Sequence, residues 1–267
     1  MARIVTTMTV IPTREQSVIK AIMSIKNGTI KPDAMYINIP RTYVRFEKPL
    51  EPWLKPVLVS LGMTVLEVEH DRACFNKILP ILSFEKDPET LVVTIDDDID
   101  YKPIFISGLL EAYKRFGGVV GYSGLLYPES ALKHNLDPKI YHVRIGHGVR
   151  TEIIQQGFGT MTKVASFQGF PDVPPLTKDA DPSLYLSDDY VISRFYDFKG
   201  LPKFVVCWDQ IGRFHDDWSS VCTLLDSDDM PKLSTDRKSL EDYLRAGEII
   251  NYLWKWPYAN TNNVGSS

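Results

Sequence analysis

One stretch of this 267-residue chain constrains its fold more than any other. It is the apolar run Leu91–Ile95, which leads directly into Asp96, Asp97, Asp98 and Asp100. A β-branched run of this kind predicts a buried strand, and the four carboxylates after it repel one another, so they need a compensating charge, protonation or wide exposure to water. A divalent cation is the simplest compensation, because Mg²⁺ and Mn²⁺ prefer oxygen ligands and are commonly held by one or two carboxylates together with substrate phosphates. We therefore predict a metal and diphosphate site at the C-terminal end of a central strand, where open α/β sheets bind ligands; a solvated acidic loop is the alternative.

The composition excludes several other classes of function. Hydrophobic residues make up 44% and charged residues 24% of the chain, which is typical of a soluble globular protein. The net charge is −4 and the basic residues are scattered, so nucleic acid is not expected as a partner. Three cysteines without a C-x-x-C spacing predict neither a disulfide framework nor a zinc site. We find no secretory signal and no apolar window of membrane-spanning length, so we expect a cytoplasmic protein with no membrane segment in this chain.

Around the acidic stretch, apolar periodicity alternates between the patterns of strands and helices. Strands are predicted over 3–11, 34–39, 65–68, 119–122 and 203–208, with a strand interrupted by two glycines over 152–161. Helices are predicted over 15–26, 54–61, 103–116, 190–196 and 239–254, and a further short helix carries Lys77. Strand, helix and strand in succession predict an α/β fold with a mixed, mostly parallel central sheet flanked by helices.

Charged residues in four places fall along one edge of this predicted sheet. They are Arg14 after the first strand, Lys77, the acidic cluster, and the pair Asp188 and Asp189 at the start of a helix. A carboxylate at the start of a helix is often an N-cap, and Ser187 or Asp188 is a candidate for that role here. One carboxylate of the pair can cap the helix while its neighbour accepts a proton from a reacting group.

Four sequence motifs in this order carry a resemblance to a known family. They are Ile11-Pro12-Thr13-Arg14, the segment 31–40, Asp71 with Lys77-Ile78-Leu79-Pro80, and the stretch 96–103. Together they resemble nucleotide-sugar glycosyltransferases with the GT-A fold, and in particular the small glycosyltransferases of large algal viruses of the chlorovirus type and related bacterial enzymes. The resemblance covers roughly the first two hundred residues. The group often has Gly-Pro before its lysine, whereas this chain has Arg72-Ala73-Cys74-Phe75, so Arg72 is a candidate to supply a charge there instead.

The resemblance implies a reaction and a set of site residues. The reaction is transfer of a hexosyl or pentosyl group from a UDP-sugar to a hydroxyl of a glycan acceptor, with Mn²⁺ or Mg²⁺ and with inversion, in the synthesis of a viral capsid or surface glycan. A proton-accepting role falls to Asp188 or Asp189. The implied metal ligands are Asp98, the direct ligand, with Asp96, Asp100 and His215. The implied nucleotide-sugar contacts are Thr7, Pro12, Arg14, Asp71, Arg72, Lys77, Asp96, Asp97 and Gly157.

Domain organisation and three alternative functions complete these expectations. We expect one catalytic domain over 1–258, with a nucleotide-binding half over about 1–125, an acceptor-side half over 126–258 and a disordered tail over 259–267. If the protein is viral, the host cytoplasm is its expected location. A retaining glycosyltransferase of the same fold, a nucleotidyltransferase and a non-catalytic glycan-binding protein are the alternatives. The nucleotidyltransferase is less favoured, because such enzymes usually carry a Gly-rich N-terminal loop and segment 9–14 contains no glycine.

Overall fold

The computed structural model of the protein describes residues 2–125, 149–170, 172–180, 185, 188–206 and 222–224. Its strands are β1 (Ile4–Thr9), β2 (Ala34–Pro40), β3 (Thr64–Val68), β4 (Leu91–Thr94), β5 (Ile99–Tyr101), β6 (Val119–Gly121), β7 (Gly124–Leu125), β8 (Val149–Arg150), β9 (Ile153–Ile154), β10 (Thr160–Lys163), β11 (Lys203–Val205) and β12 (Cys222–Leu224). Its α-helices are α1 (Glu15–Lys26), α2 (Leu54–Ser60), α3 (Phe105–Phe116) and α4 (Asp188–Phe198). Short 3-10 helices cover Ala73–Lys77, Ile81–Ser83 and Val164–Phe167.

Eight of these strands form the central sheet, in the order β3-β2-β1-β4-β10-β6-β11-β8. Strands β3, β2, β1 and β4 are parallel neighbours, and β6 and β11 are also parallel to each other. Strand β10 runs antiparallel to β4 and β6, and β8 runs antiparallel to β11. The sheet is therefore mixed and mostly parallel, as predicted, and it places β1 and β4 side by side in its interior.

Apolar packing on both faces of the sheet fixes these strands in place. Alternate residues of a strand point to opposite faces. On β1, Ile4 and Met8 join the larger apolar cluster with residues of α1 and α3, whereas Val5 packs with Ile81 on the other face. A further cluster joins α4 to Ile154 of β9 and to residues of the 3-10 helix that carries Lys77. The core thus holds the ends of β1 and β4, the Lys77 turn and the start of α4 in fixed relative positions.

Most of the predicted elements are confirmed. The strands expected over 3–11, 34–39, 65–68, 119–122 and 203–208 correspond to β1, β2, β3, β6 and β11, and the helices over 15–26, 54–61, 103–116 and 190–196 correspond to α1 to α4. Helix α1 ends at the expected place, because the Asn27 amide donates to carbonyls of the last turn. The segment 172–180 has no regular element, as expected of a loop rich in proline and aspartate.

One predicted element is wrong. The segment 152–161 is not one interrupted strand, because β9 pairs with β7 in a separate two-stranded sheet while β10 lies in the central sheet. Gly159, with a φ of 99°, turns the chain between them in a backbone conformation that residues with a side chain rarely adopt. The helix predicted to carry Lys77 is present as a short 3-10 helix, whose first residue, Ala73, has a φ of 49°. The helix over 239–254, the tail over 259–267 and His215 lie outside the described residues.

No helix among the described residues is both long and apolar enough to cross a membrane.

Candidate functional site

The acidic turn after β4 lies where the carboxyl ends of the central parallel strands meet. Ile95, the last apolar residue before the turn, is fully buried. The side chains of Asp96 and Asp98 are 32% and 22% exposed, whereas that of Asp97 is 6% exposed. Two carboxylates separated by one residue therefore face solvent, and the carboxylate between them points into the protein.

Asp97 holds the loop that follows β1. Its carboxylate accepts hydrogen bonds from the Ile11 amide at 3.2 Å and from Nη1 of Arg14 at 2.8 Å. The other guanidinium nitrogen of Arg14, Nη2, lies 2.9 Å from Asp98 Oδ2. The two loops meet because β1 and β4 are parallel neighbours, with Thr7 paired to Thr94. Asp97 thus fixes Arg14 against Asp98, and Pro12 belongs to the loop that is held in this way.

Burial and mutual repulsion change the proton affinities of these carboxylates. Burial raises the pKa of Asp97 to about 7, and the nearby Arg14 charge opposes that rise. The pKa of Asp98 is raised by burial and by the charge of Asp96, again against Arg14. Burial alone would lower the pKa of Arg14, but the charges of Asp97 and Asp98 outweigh it, and the pKa is raised. The turn therefore carries closely spaced negative charge that favours a cation.

Lys77 supplies a second positive charge from the opposite side of the acidic turn. It is buried, its ammonium pairs with Oδ1 of Asp96, and it lies 3.7 Å from Oδ2 of Asp188. Burial alone would lower the pKa of Lys77, but the charges of Asp96 and Asp188 outweigh it, so the pKa is raised. Lys77 is therefore a fixed cation between the acidic turn and the start of α4.

The main chain of Lys77 is held by two polar residues of the sheet. Its carbonyl accepts a hydrogen bond from Oγ1 of Thr7 at 2.5 Å and one from Nδ2 of Asn38 at 3.2 Å. Nδ2 of Asn38 also donates to Thr7 Oγ1 and to the Met8 carbonyl. Thr7 and Asn38 are both fully buried. Thr7, predicted as a nucleotide contact, thus holds the main chain of Lys77 here. Asn38 was not predicted as a site residue, although it is the single amide side chain in its apolar strand.

The two aspartates at the start of α4, Asp188 and Asp189, contact different partners. Asp188 is buried and faces Lys77. Asp189 is partly exposed, and its Oδ1 accepts a hydrogen bond at 2.8 Å from the Gln156 amide. Gln156 belongs to the loop between β9 and β10, and its carbonyl accepts a bond from Thr94 at the end of β4. Both carboxylates therefore lie at the site, and Asp189 is the more accessible to a bound molecule.

Gly157, in the same loop, lies directly against the acidic turn. A Cβ at Gly157 would be 2.7 Å from Cγ of Asp96 and closer still to its Oδ2. The Gly157 carbonyl accepts a hydrogen bond at 2.9 Å from the hydroxyl of Tyr101, which itself accepts one at 2.7 Å from the Asp96 amide. Tyr101 belongs to the motif 96–103, but no role was assigned to it from the sequence. Its place in that motif, one residue beyond the acidic cluster, is the signal that could have indicated it.

Three other predicted site residues have different surroundings. Asp71 is buried, and its carboxylate accepts hydrogen bonds from the amides of Val44 and Ala73 and from the side chain of Asn76. Arg72 donates to the Val173 carbonyl at 2.6 Å and lies 3.4 Å from Asp172. Asp100 lies on β5 and pairs with Lys102 at 2.9 Å. The structure thus brings together Arg14, Lys77, Asp96–Asp98, Gly157, Asp188 and Asp189, whereas the nucleotide and metal roles of Asp71, Arg72 and Asp100 stay predictions.

The carboxylates of the acidic turn suit a cation site that substrate phosphates complete. Within the described parts of the chain, no three histidine, cysteine, aspartate or glutamate side chains converge closely enough to hold a metal ion by themselves. Asp96 and Asp98 offer two solvent-facing carboxylates, close enough for the charge of Asp96 to raise the pKa of Asp98. Mg²⁺ is usually bound by one or two carboxylates together with substrate phosphates. The pair therefore fits a cation that a diphosphate helps to hold.

Comparison with known proteins defines the fold. No family model matches the chain, and no curated protein sequence does. Among solved structures, glucosyl-3-phosphoglycerate synthase from Mycobacterium tuberculosis, in complex with Mg²⁺ and UDP, is similar with a TM-score of 0.50 and 14% identity over 77% of this chain and 70% of that chain. The chain has the GT-A fold.

Further structures align over a similar share of this GT-A chain. The same mycobacterial synthase in complex with Mn²⁺, UDP and glucosyl-3-phosphoglycerate gives a TM-score of 0.49 at 14% identity, over 77% of this chain and 69% of that chain. The mannosyltransferase PcManGT from Pyrobaculum calidifontis, in complex with GDP-Man and Mn²⁺, gives 0.49 at 12% identity. That alignment covers 76% of this chain and 54% of the mannosyltransferase.

Proposed function

We propose that this protein is a metal-dependent glycosyltransferase that moves a hexosyl or pentosyl group from a UDP-sugar to a hydroxyl of a glycan acceptor. The observation that carries the proposal is the pair of solvent-facing carboxylates, Asp96 and Asp98, at the end of β4 in a GT-A fold, with Arg14 and Lys77 fixed on either side. Two carboxylates at the end of a strand suit a cation that a diphosphate completes. The neighbouring structure that contains UDP with Mg²⁺ supports the same class of donor.

On the donor side, the residues of this chain place charge around the departing diphosphate. Asp96 and Asp98 would hold Mn²⁺ or Mg²⁺, which when bound neutralises the negative charge that develops on the leaving group. Asp97 keeps Arg14 beside Asp98, and Thr7 keeps the Lys77 turn against β1. Because their contacts fix these side chains before the donor binds, little reorganisation is needed during the reaction.

On the acceptor side, we assign Asp189 as the base that takes the proton from the attacking hydroxyl. It is the more exposed member of its pair, whereas Asp188 is buried against Lys77. Direct displacement by a hydroxyl on the face opposite the leaving diphosphate inverts the anomeric carbon. The proposal therefore includes inversion, with Asp188 as the counter-ion of Lys77.

Release of UDP tests the proposal. A panel of UDP-sugars is incubated with the protein and Mn²⁺, and UDP is measured with and without EDTA. We expect release from one or a few donors that stops with EDTA and falls by at least about a hundredfold in Asp98→Ala, since this removes a charge-stabilising contact worth roughly 3 kcal/mol. Turnover that EDTA leaves unchanged, or an Asp98→Ala variant with wild-type activity, would refute the assignment.

Separate measurements test the inversion of the anomeric carbon and the class of reaction. NMR of the first-formed product gives its anomeric configuration, and retention of the donor configuration would refute Asp189 as the base. Release of pyrophosphate from a nucleoside triphosphate would indicate a nucleotidyltransferase instead. Binding of a free glycan without any affinity for UDP and Mn²⁺ would indicate a glycan-binding protein. A capsid or surface glycan as acceptor, and a host-cell cytoplasmic location, remain predictions from the resemblance alone.

A further inference from the structure

Asp96 is held on three sides by residues from three separate elements. Lys77, from the 3-10 helix, pairs with Oδ1 of its carboxylate. Tyr101, on β5, accepts a hydrogen bond from its amide. Gly157, in the loop between β9 and β10, lies beside its carboxylate. The position of this one side chain therefore depends on parts of the chain that are far apart in sequence.

The contact with Gly157 leaves no room for a side chain. A Cβ there would meet three atoms of the Asp96 carboxyl group, with Cγ at 2.7 Å. Gly157 is not among the glycines with a positive φ, so its backbone conformation is one that other residues adopt. The space beside Asp96, and not the backbone conformation, is thus what requires glycine at this position.

The Tyr101 hydroxyl joins the two sides of this contact. It accepts from the Asp96 amide at 2.7 Å and donates to the Gly157 carbonyl at 2.9 Å, so one oxygen connects the acidic turn to the glycine loop. Tyr101 is 2% exposed, and its ring packs on Phe105 with centroids 4.3 Å apart. The hydroxyl therefore cannot reach a bound substrate, and its effect on the site must pass through Asp96 and Gly157.

We propose that Tyr101 and Gly157 are positioning residues that fix the carboxylate of Asp96 in the orientation that binds the cation and nucleoside diphosphate. This inference rests on the proposed function. Carboxylates that bind a cation act best when their own orientation is locked by packing and by second hydrogen-bonding partners. Tyr101 sets the distance between the turn and the loop, and Gly157 provides the space into which the Asp96 carboxylate fits.

A binding experiment with a matched control tests the role of the hydroxyl. Tyr122 is the control, because it is 1% exposed, packs on Phe105 with ring centroids 5.6 Å apart and donates a hydrogen bond to the Phe105 carbonyl at 2.8 Å. The affinity for UDP in the presence of Mn²⁺ and the stability to urea are measured for Tyr101→Phe and Tyr122→Phe. We expect similar losses of stability, about tenfold weaker UDP binding in Tyr101→Phe and a change under about twofold in Tyr122→Phe. Equal effects of the two variants on UDP affinity would overturn the role of Tyr101.

A double-mutant cycle without any ligand tests the contact between Gly157 and Asp96. Gly157→Ala is made in the wild-type protein and in Asp96→Ala, and the unfolding equilibrium constant is measured by urea denaturation. In the wild-type background the new methyl group must displace Asp96 from Lys77, and we expect the constant to rise about tenfold. In the Asp96→Ala background the methyl group fits, and we expect a change under about twofold. An equal effect in both backgrounds would overturn the inference.

The two experiments separate failure of this inference from failure of the proposed function. If the wild-type protein binds no UDP with Mn²⁺, the proposed function is wrong and this inference falls with it. If the wild-type protein binds UDP while the cycle shows no coupling, the proposed function stands and only the positioning role is overturned.

Discussion

At the scale of single residues, burial decides what three chemically identical side chains do. Asp96, Asp97 and Asp98 are consecutive, but only Asp97 points inward, where it accepts hydrogen bonds from Ile11 and Arg14. Asp96 and Asp97 were both predicted to contact the nucleotide-sugar. The contacts instead make Asp97 the residue that holds the Arg14 loop. No local pattern distinguishes the three, because the direction of each carboxylate depends on the neighbouring strand β1.

The left-handed backbone conformation of Ala73 predicts that glycine at this position stabilises the protein. Ala73 has a φ of 49°, and the carboxylate of Asp71 accepts a hydrogen bond from its amide at 2.7 Å. The left-handed region costs a residue with a Cβ about 1–2 kcal/mol, and glycine loses about 0.5–1 kcal/mol in entropy. We therefore expect Ala73→Gly to stabilise the protein by about 0.5–1 kcal/mol in urea denaturation. The control, Ala21→Gly in the buried face of α1, should destabilise it, and equal losses in the two variants would contradict the assigned conformation.

The ion pair of Glu85 predicts that the stability of the protein depends on pH. The Glu85 carboxylate accepts two hydrogen bonds from Arg3 and one at 2.6 Å from the Tyr36 hydroxyl. The hydrogen bonds from Arg3 lower the pKa of Glu85 more than burial raises it. Because the pKa in the folded protein lies below that in the unfolded chain, the stabilisation is present above the unfolded value of about 4.3 and is lost as the pH falls through the folded value.

The measurement compares Glu85→Gln with the wild-type protein in urea at a series of pH values. We expect the variant to be less stable near neutral pH and the difference to shrink in the acidic range. A difference that stays constant, or grows as the pH falls, would show that Glu85 is not held as an ion in the folded protein.

At the scale of elements, a single buried side chain joins two strands to the turn that carries Lys77. Asn38 on β2 donates to the Met8 carbonyl and the Thr7 hydroxyl on β1 and to the Lys77 carbonyl. All of these groups are buried or partly buried, so each one left unpaired costs about 1–3 kcal/mol. The position of the Lys77 ammonium therefore depends on the pairing of β1 with β2.

We expect Asn38→Ala to lower the free energy of unfolding by about 2–4 kcal/mol. The control is Thr9→Val, which removes a hydrogen bond at 2.8 Å to the Asn38 carbonyl without touching the Lys77 turn, and a loss of about 1 kcal/mol is expected. Urea denaturation measures both variants. Equal losses would show that the three bonds from the Asn38 side chain do not hold the turn in place.

The elements that sequence patterns predicted well are those with a local signal. Helix α1 and strand β2 each carry a clear apolar periodicity and a residue type that ends them, and both lie where expected. Strand β5 was not predicted, because it is three residues long and exists through pairing with β12 more than a hundred residues away. The segment 152–161 has strand-forming residues on both sides of its two glycines, and tertiary packing divides it between two sheets.

At the scale of the whole molecule, the sheet order explains why the site could be predicted in outline. Parallel neighbours β2, β1 and β4 bring the ends of distant segments to one edge, so Arg14, the Lys77 turn and Asp96 were expected together and are found together. The supporting residues were not found from sequence. Asn38, Tyr101 and the space beside Gly157 act through packing between non-neighbouring elements, which leaves little trace in a single sequence.

The overall charge makes this local arrangement necessary. The protein carries a net charge of −4, so its overall charge does not attract a nucleoside diphosphate. Within the acidic turn, two fixed cations, Arg14 and Lys77, flank carboxylates whose negative charge favours a divalent ion. The combination predicts that affinity for the nucleotide depends on the metal ion, because the metal brings further positive charge to Asp96 and Asp98.

Calorimetry of UDP binding is the most direct test of this central claim. UDP is titrated into the wild-type protein with Mn²⁺ and, separately, with EDTA, and into Asp98→Asn with Mn²⁺. We predict binding with Mn²⁺, at least about tenfold weaker binding with EDTA, and a loss of at least about tenfold in Asp98→Asn, because EDTA removes the metal ion and the substitution removes a carboxylate that holds it. Equal UDP affinity under all three conditions would contradict a metal and diphosphate site at the end of β4.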